Sequence, residues 1–188
     1  MKVLAISGSL RRDSHNTALL RAAAELVPPP VELEIFDGLK AVEPYDEDDD
    51  RGGGPAGARR LREAIESADA ILVATPEYNS SIPGQLKNAI DWASRPLRDN
   101  ALWGKPVAVV GASTGMFGAV WSQAEARKTL AASGARVIEQ DLPIGHADET
   151  FTAGGRLADA DQRDRYVEIL DELIALAEQV EEPSEIAA

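Results

Sequence analysis

Cysteine is absent from the 188 residues, which excludes disulfides, thiol catalysis and cysteine-held iron–sulfur clusters. Histidine is nearly absent. His15 and His146 stand far apart, with no ligand spacing around either, so no metal site is expected. The longest apolar run is AILVAT at residues 70–75, far short of the roughly 20 residues that cross a bilayer. The N-terminus has no basic segment followed by a long apolar stretch and a cleavage site, so a cytoplasmic location without membrane contact is the expectation. Basic side chains are also in short supply. Lysine and arginine number 19 against 32 aspartates and glutamates, a net charge of −13, and a surface of that sign repels phosphate backbones. Nucleic acid is therefore not an expected partner.

What is present reads as one domain of ordinary size over residues 1–180, followed by an acidic, flexible tail at 181–188. Three apolar runs, at 3–6, 70–74 and 107–112, are continuous rather than alternating, as parallel strands covered on both faces should be. Residues 31–36 alternate and suit a strand nearer an edge, and RVIEQDL at 136–142 supplies a fifth. Between them lie helical stretches. One stops at Pro28–Pro30, one begins at Pro83, and one ends at Gly134. In the last helix, Val167, Leu170, Leu173, Ile174 and Ala177 mark the apolar face. The acidic run EPYDEDDD, Glu43 to Asp50, lacks the spacing of a calcium loop and reads as a solvated loop. Five strands alternating with helices predict a doubly wound α/β sheet, whose ligands sit beyond the carboxyl ends of the strands.

Three loops leave those ends. The first, SGSLRRDSHNT, has one glycine, Gly8, where a dinucleotide fingerprint has three. Its Ser9, Arg11, Ser14, Asn16 and Thr17 are the donors a phosphate wants at a helix start. Taken alone, the loop equally describes a Ser14-capped helix with surface arginines. The second loop places Pro76, Glu77, Tyr78 and Asn79 after a buried strand, where freed backbone groups can meet the polar edge of a flat heterocycle. The helix after it carries an apolar stripe, Leu86, Ala89, Ile90 and Ala93, while Trp92 fits the core or a subunit contact. In the third loop, Ser113, Thr114 and Gly115 let backbone N–H groups approach a ligand closely.

GSLRRDSHN, PEYNSSIPGQLKNAIDW and the STG turn together resemble the NAD(P)H-dependent FMN reductases, a family that includes flavodoxin-like quinone, chromate and azo-dye reductases. The resemblance runs from KVLAISGSLRRDSHN to the GRLAD segment before the last helix. It implies a flavodoxin-like three-layer sandwich with a five-stranded parallel sheet of order 2-1-3-4-5 and helices on both faces. It implies FMN, with its phosphate on Ser9, Arg11, Ser14, Asn16 and Thr17. The isoalloxazine and ribityl groups would lie along Pro76, Glu77, Tyr78 and Asn79, and the pyrimidine side along Ser113, Thr114 and Gly115. NADPH, or NADH, would pass hydride through the flavin to a small acceptor (quinone-like, azo, metal-oxyanion or free flavin) in a ping-pong cycle that requires no catalytic side chain. A homodimer or homotetramer through the Leu86–Ala93 helix is implied as well. The rival readings are a flavodoxin-like electron carrier and an FMN-binding regulator without turnover. One departure from the family pattern stands out: Ala119 follows Gly118 where relatives often have a second glycine.

Overall fold

The computed structural model describes residues 1–179. The tail expected at 181–188 lies outside them. In chain order the elements are β1 (Lys2–Ser7), α1 (His15–Leu26), β2 (Glu32–Ile35), α2 (Ala56–Glu66), β3 (Ala70–Ala74), α3 (Gly84–Ala93), β4 (Pro106–Ala112), α4 (Val120–Ala132), β5 (Arg136–Val137), β6 (Pro143–Ile144) and α5 (Ala160–Glu178). All strand pairs are parallel and the sheet order is β2-β1-β3-β4-β5, with β6 also on β4. This is the flavodoxin-like order expected.

The continuous apolar runs are explained by burial on both faces. Leu4, Ile6, Ile71, Val73, Val107 and Val109 point into the layer formed with α2, α3 and α4. Their neighbours Val3, Ala5, Leu72, Ala74, Ala108 and Val110 point into the layer formed with α1 and α5. The edge strand β2 alternates between exposed and half-buried positions, as its sequence does.

The fifth strand is not continuous. Residues 136–142 bond to β4 at β5 and Ile138, and the chain returns to β4 at Leu142 and β6, where Gly111 pairs with Pro143. Glu139, Gln140 and Asp141 interrupt it. Asp141 lies 3.0 Å from Arg165 and 3.7 Å from Arg127, held outward by cations that a buried strand has no room for. In α5 the buried face is Tyr166, Ile169, Leu170, Leu173 and Ala177, so Val167 and Ile174 fall on its margin rather than at its centre.

In α3 the stripe Leu86, Ala89, Ile90 and Ala93 packs into the chain's own core. Trp92 is fully buried, donates its indole N–H to the carbonyl of Glu43 at 2.7 Å, and meets Tyr45 edge-on. Glu47, Asp48 and Asp49 are solvated as expected, but the run is anchored at both ends. Asp50 pairs with Arg62 at 2.8 Å, with both side chains largely covered.

At the other end, the Glu43 carboxylate accepts the Gly57 N–H through both oxygens, at 3.2 and 3.0 Å, and serves as the cap that α2 lacks at Pro55. Hydrogen bonds from backbone N–H groups, its own and that of Gly57, hold this carboxyl below the usual carboxylate range. A carboxyl whose folded pKa is depressed contributes stability above its unfolded pKa and loses it as pH falls through the folded value. Glu43→Gln should therefore lower the melting temperature at neutral pH, and the gap from the parent should close as acidification protonates the depressed Glu43 carboxyl. A gap independent of pH in thermal melts would show that the charge is not what caps α2.

Candidate active site

The strands β1, β3 and β4 end side by side, in the register Ser7↔Ala74 and Ala74↔Val110, so their loops leave one edge of the sheet together. Between the loops is a cleft of about 200 Å³ lined by Ser9, Arg11, Ser14, His15, Asn16, Pro76, Glu77, Tyr78, Ala112, Ser113 and Thr114. Of the residues expected at the site, Thr17, Asn79 and Gly115 do not line it. A larger hollow, of about 540 Å³, lies between α1 and the 156–163 segment. There Arg156 is paired with Glu25 at 2.8 Å, and no set of loops converges on it.

In the first loop, Ser14 is the N-cap of α1, its hydroxyl oxygen accepting from the Thr17 N–H at 3.3 Å. The cap leaves the amides of His15 and Asn16 as the first-turn donors. No acidic residue stands in that turn, so the positive end of the helix is not neutralised from within. Arg11 reaches back to the carbonyl of Asp13 at 2.6 Å with one nitrogen, which leaves the rest of its fork for a ligand. The hydroxyl oxygen of Ser9 accepts from the Arg11 N–H at 3.4 Å and keeps its proton to donate.

Asn16 and Thr17 do something different. The Asn16 amide is buried and bonded twice to Ala112, donating at 2.9 Å and accepting at 3.0 Å. Thr17 donates to the Ser7 hydroxyl at 2.9 Å. Both fasten the loop, and Asn16 also lines the cleft.

The second loop is a two-residue turn. Tyr78 and Ser81 exchange both backbone hydrogen bonds at 3.1 Å, and the central Asn79 and Ser80 sit at φ +54° and +59°, the signature of a type I′ turn. Asn79 is thereby carried to the exposed tip. Glu77 lines the cleft but is also engaged. Its Oε2 accepts from the N–H groups of Trp121 and Ser122 at 3.1 and 3.2 Å, supplying the cap that Ala119 cannot give α4. Beneath it, the buried hydroxyls of Thr75 and Ser122 are hydrogen-bonded at 2.8 Å, and both lie within hydrogen-bond distance of the Pro76 carbonyl, at 2.8 and 2.9 Å, so one donates to its neighbour and the other to the carbonyl.

The third loop is bound on its far side. Ser113 exchanges backbone bonds with Ile144 and Ala147, and Gly115 accepts from the His146 N–H at 3.3 Å. The buried Gln123 donates to the carbonyl of Gly118 and accepts from the Leu142 N–H, each at 3.0 Å.

Sequence reasoning did not assign Thr75, Ser122 or Gln123 to the site. They carry no local motif, and Thr75 and Ser122 lie 47 positions apart. His15 was weighed only as a metal ligand, yet its side chain lines the cleft and stacks near Phe151. Its place between Ser14 and Asn16 was the available signal.

A doubly wound sheet with a polar cleft at its switch point, where a helix start and an arginine meet, is the architecture of a nucleotide- or flavin-binding α/β protein. Residues 1–149 match the family model of NADPH-dependent FMN reductases, and the chain belongs to that family. It is 46% identical over 165 residues to an NAD(P)H-dependent FMN reductase of Pseudomonas aeruginosa, covering 87% of this chain and 88% of the relative. It is 36% identical over 176 residues to a 2-hydroxy-1,4-benzoquinone reductase of a Burkholderia species, covering 93% and 95%. Among solved structures, the flavoenzyme NAD(P)H:(acceptor) oxidoreductase FerB of Paracoccus denitrificans superposes with a TM-score of 0.82 at 33% identity, over 95% of this chain and 97% of that one. The protein is thus an oxidoreductase with FMN and NAD(P)H as its cofactors.

The one departure from the family pattern has a structural cost. Gly118 takes φ +58°, and a Cβ there would stand 2.4 Å from the carbonyl carbon of Pro143. Ala119 takes φ +61° as well, a conformation that costs a non-glycine residue roughly 1 kcal/mol. Gly118→Ala should lower stability by at least about 2 kcal/mol, since backbone strain and a backbone clash combine. Ala119→Gly should raise it by about 0.5–1 kcal/mol. Urea unfolding followed by circular dichroism reads both, and a destabilised Ala119→Gly would show that the left-handed turn is not strained.

Proposed function

We propose that the cleft holds FMN with its phosphate at the start of α1 and works as an NAD(P)H-dependent reductase of small acceptors, quinones foremost. The observation that carries this is the first turn of α1: Ser14-capped, free of acids, with two amides to offer, and flanked by the Ser9 hydroxyl and the Arg11 guanidinium. This donor set fits a single terminal phosphate, which takes three or more hydrogen bonds and a counter-cation. Small side chains at Ser113 and Thr114 leave room for the pyrimidine side of a flavin, and Pro76 and Tyr78 provide apolar surface for its ring.

When bound, FMN supplies hydride relay between NAD(P)H and a two-electron acceptor. The chain's part is to orient. Arg11 and the α1 amides fix the phosphate end, the Tyr78–Ser81 turn and the Ser113–Gly115 turn bound the ring end, and the face left between them is open. Because both substrates need that face, the donor leaves before the acceptor enters, which gives ping-pong kinetics. A quinone would take up the two electrons and one hydrogen of the hydride together with one proton from the water that reaches the open face, becoming a hydroquinone. No side chain need act as acid or base. Two of the relatives fit this reading, one named a 2-hydroxy-1,4-benzoquinone reductase and one an NAD(P)H:(acceptor) oxidoreductase.

The purified protein should be yellow or take up added FMN, and anaerobic NADPH should bleach the flavin band within the mixing time of a manual assay. Slow bleaching with a stable radical would favour a one-electron carrier instead, and a colourless chain that ignores FMN would rule the proposal out. Arg11→Ala should weaken FMN binding about ten- to a hundred-fold, the worth of a hydrogen bond to a charged group. Unchanged affinity by fluorescence titration would remove the phosphate from this end of the cleft.

A further inference from the structure

Among the described residues, the large apolar side chains left exposed are Leu10, Tyr78, Leu97, Trp103, Met116, Phe117 and Trp121. Only Leu97 and Trp103 lie away from the three loops and the helix start that the third loop leads into. Phe117 and Trp121 pack edge to face with ring centroids 5.0 Å apart, and 56% of one and 48% of the other remain exposed. The pair is adjacent to the cleft, because the Trp121 N–H is bonded to Glu77 at 3.1 Å and Glu77 lines the cleft wall. A ring pair packed against itself in this way is a ready stacking surface for a flat ligand.

The charge on this side points the same way. From Ser113 to Gln123 the chain carries no charged side chain. The fixed charge beside Trp121 is the negative carboxylate of Glu77, while the arginines of the site belong to the first loop. An oxyanion arriving at the α4 side would shed water next to a carboxylate and find no cation in exchange, a cost without compensation. A flat, uncharged ring meets no such penalty and covers exposed aromatic surface.

We propose that the Phe117–Trp121 pair is the specificity-determining element of the acceptor side, selecting planar uncharged aromatic acceptors over oxyanions. This rests on the FMN reading of the cleft. Trp121 acts by contact with the acceptor, so its loss falls on the acceptor's KM, whereas a structural loss would affect all substrates alike.

The test uses the FMN-loaded full chain with 2-methyl-1,4-naphthoquinone and chromate as acceptors, and FMN affinity and circular dichroism as controls for folding. Trp121→Ala should raise the quinone KM roughly ten-fold, the scale of one lost aromatic contact, and change chromate kcat/KM less than about two-fold. Trp121→Tyr should retain the quinone preference, and Trp121→Lys should shift the ratio toward chromate. Without NAD(P)H, calorimetric titration of the quinone into the oxidised protein should show the same ten-fold loss for Trp121→Ala. Equal losses for both acceptors, or unchanged quinone binding, would overturn the proposal. So would a sedimentation change from oligomer to monomer with the acceptor ratio intact, since the pair would then serve a contact between copies. A parent chain that binds no FMN ends the FMN reading and this one together, whereas a parent that NADPH bleaches but whose acceptor ratio ignores Trp121 ends only this one.

Discussion

The arrangement of the cleft depends on one buried side chain, Asn16, whose amide both donates to and accepts from the backbone of Ala112, 96 positions along the chain. Each bond contributes only about 1 kcal/mol net, but leaving either group unpaired in the interior would cost about 1–3 kcal/mol. The pair therefore fixes the start of α1 against the end of β4. Everything the first loop offers, the Ser14 cap, the free amides and the Arg11 fork, is aimed from that fixed point. Glu77 performs the same service between the second loop and α4, and Gln123 between the third loop and the return of the chain at Leu142. The strand ends supply a common edge, and these cross-loop bonds keep the loops from wandering on it.

Such clamps mark where the sequence stops being readable. The strands were legible because burial on both faces leaves an unbroken apolar run, and the loops because proline, glycine and hydroxyl residues gather where the chain leaves a strand. The family motifs were legible for the same reason, being short and local. Asn16 was legible as a cleft residue, but its bond to Ala112 was not, since the partner lies across the sheet. Ser122 and Gln123 sit in an ordinary run of helix formers, and nothing nearby shows that their side chains turn inward. The break between β5 and β6 follows from Asp141 answering Arg127 and Arg165, two cations on different helices. Partners that distant leave no trace in composition or period.

The net charge of −13 does not conflict with a phosphate site. Screening at physiological salt confines each surface charge to a range of about 8 Å, so what the ligand meets is set by its own surroundings. Around the start of α1 the two arginines Arg11 and Arg12 outnumber the one nearby acid of that loop, Asp13, and no acid stands in the first turn of the helix. The acidic excess is concentrated elsewhere. Part of it is structural, as in Glu43 capping α2 and Asp50 holding the Arg62 that lies over Trp92.

A flavin site asks for no acid, base or nucleophile of its own. Where a cofactor carries the electrons, a side chain close to the reacting face gains nothing by being reactive, and a charged one would repel whichever substrate shared its sign. The chain therefore places its precision in the backbone, through capped helix starts, a type I′ turn and two consecutive left-handed residues at Gly118 and Ala119. The side chains on the open rim are then free to be large, apolar and exposed. Exposed rings beside the cleft carry a solubility cost. Their edge-to-face packing limits that cost to a small area and leaves the rings ready for a flat ligand.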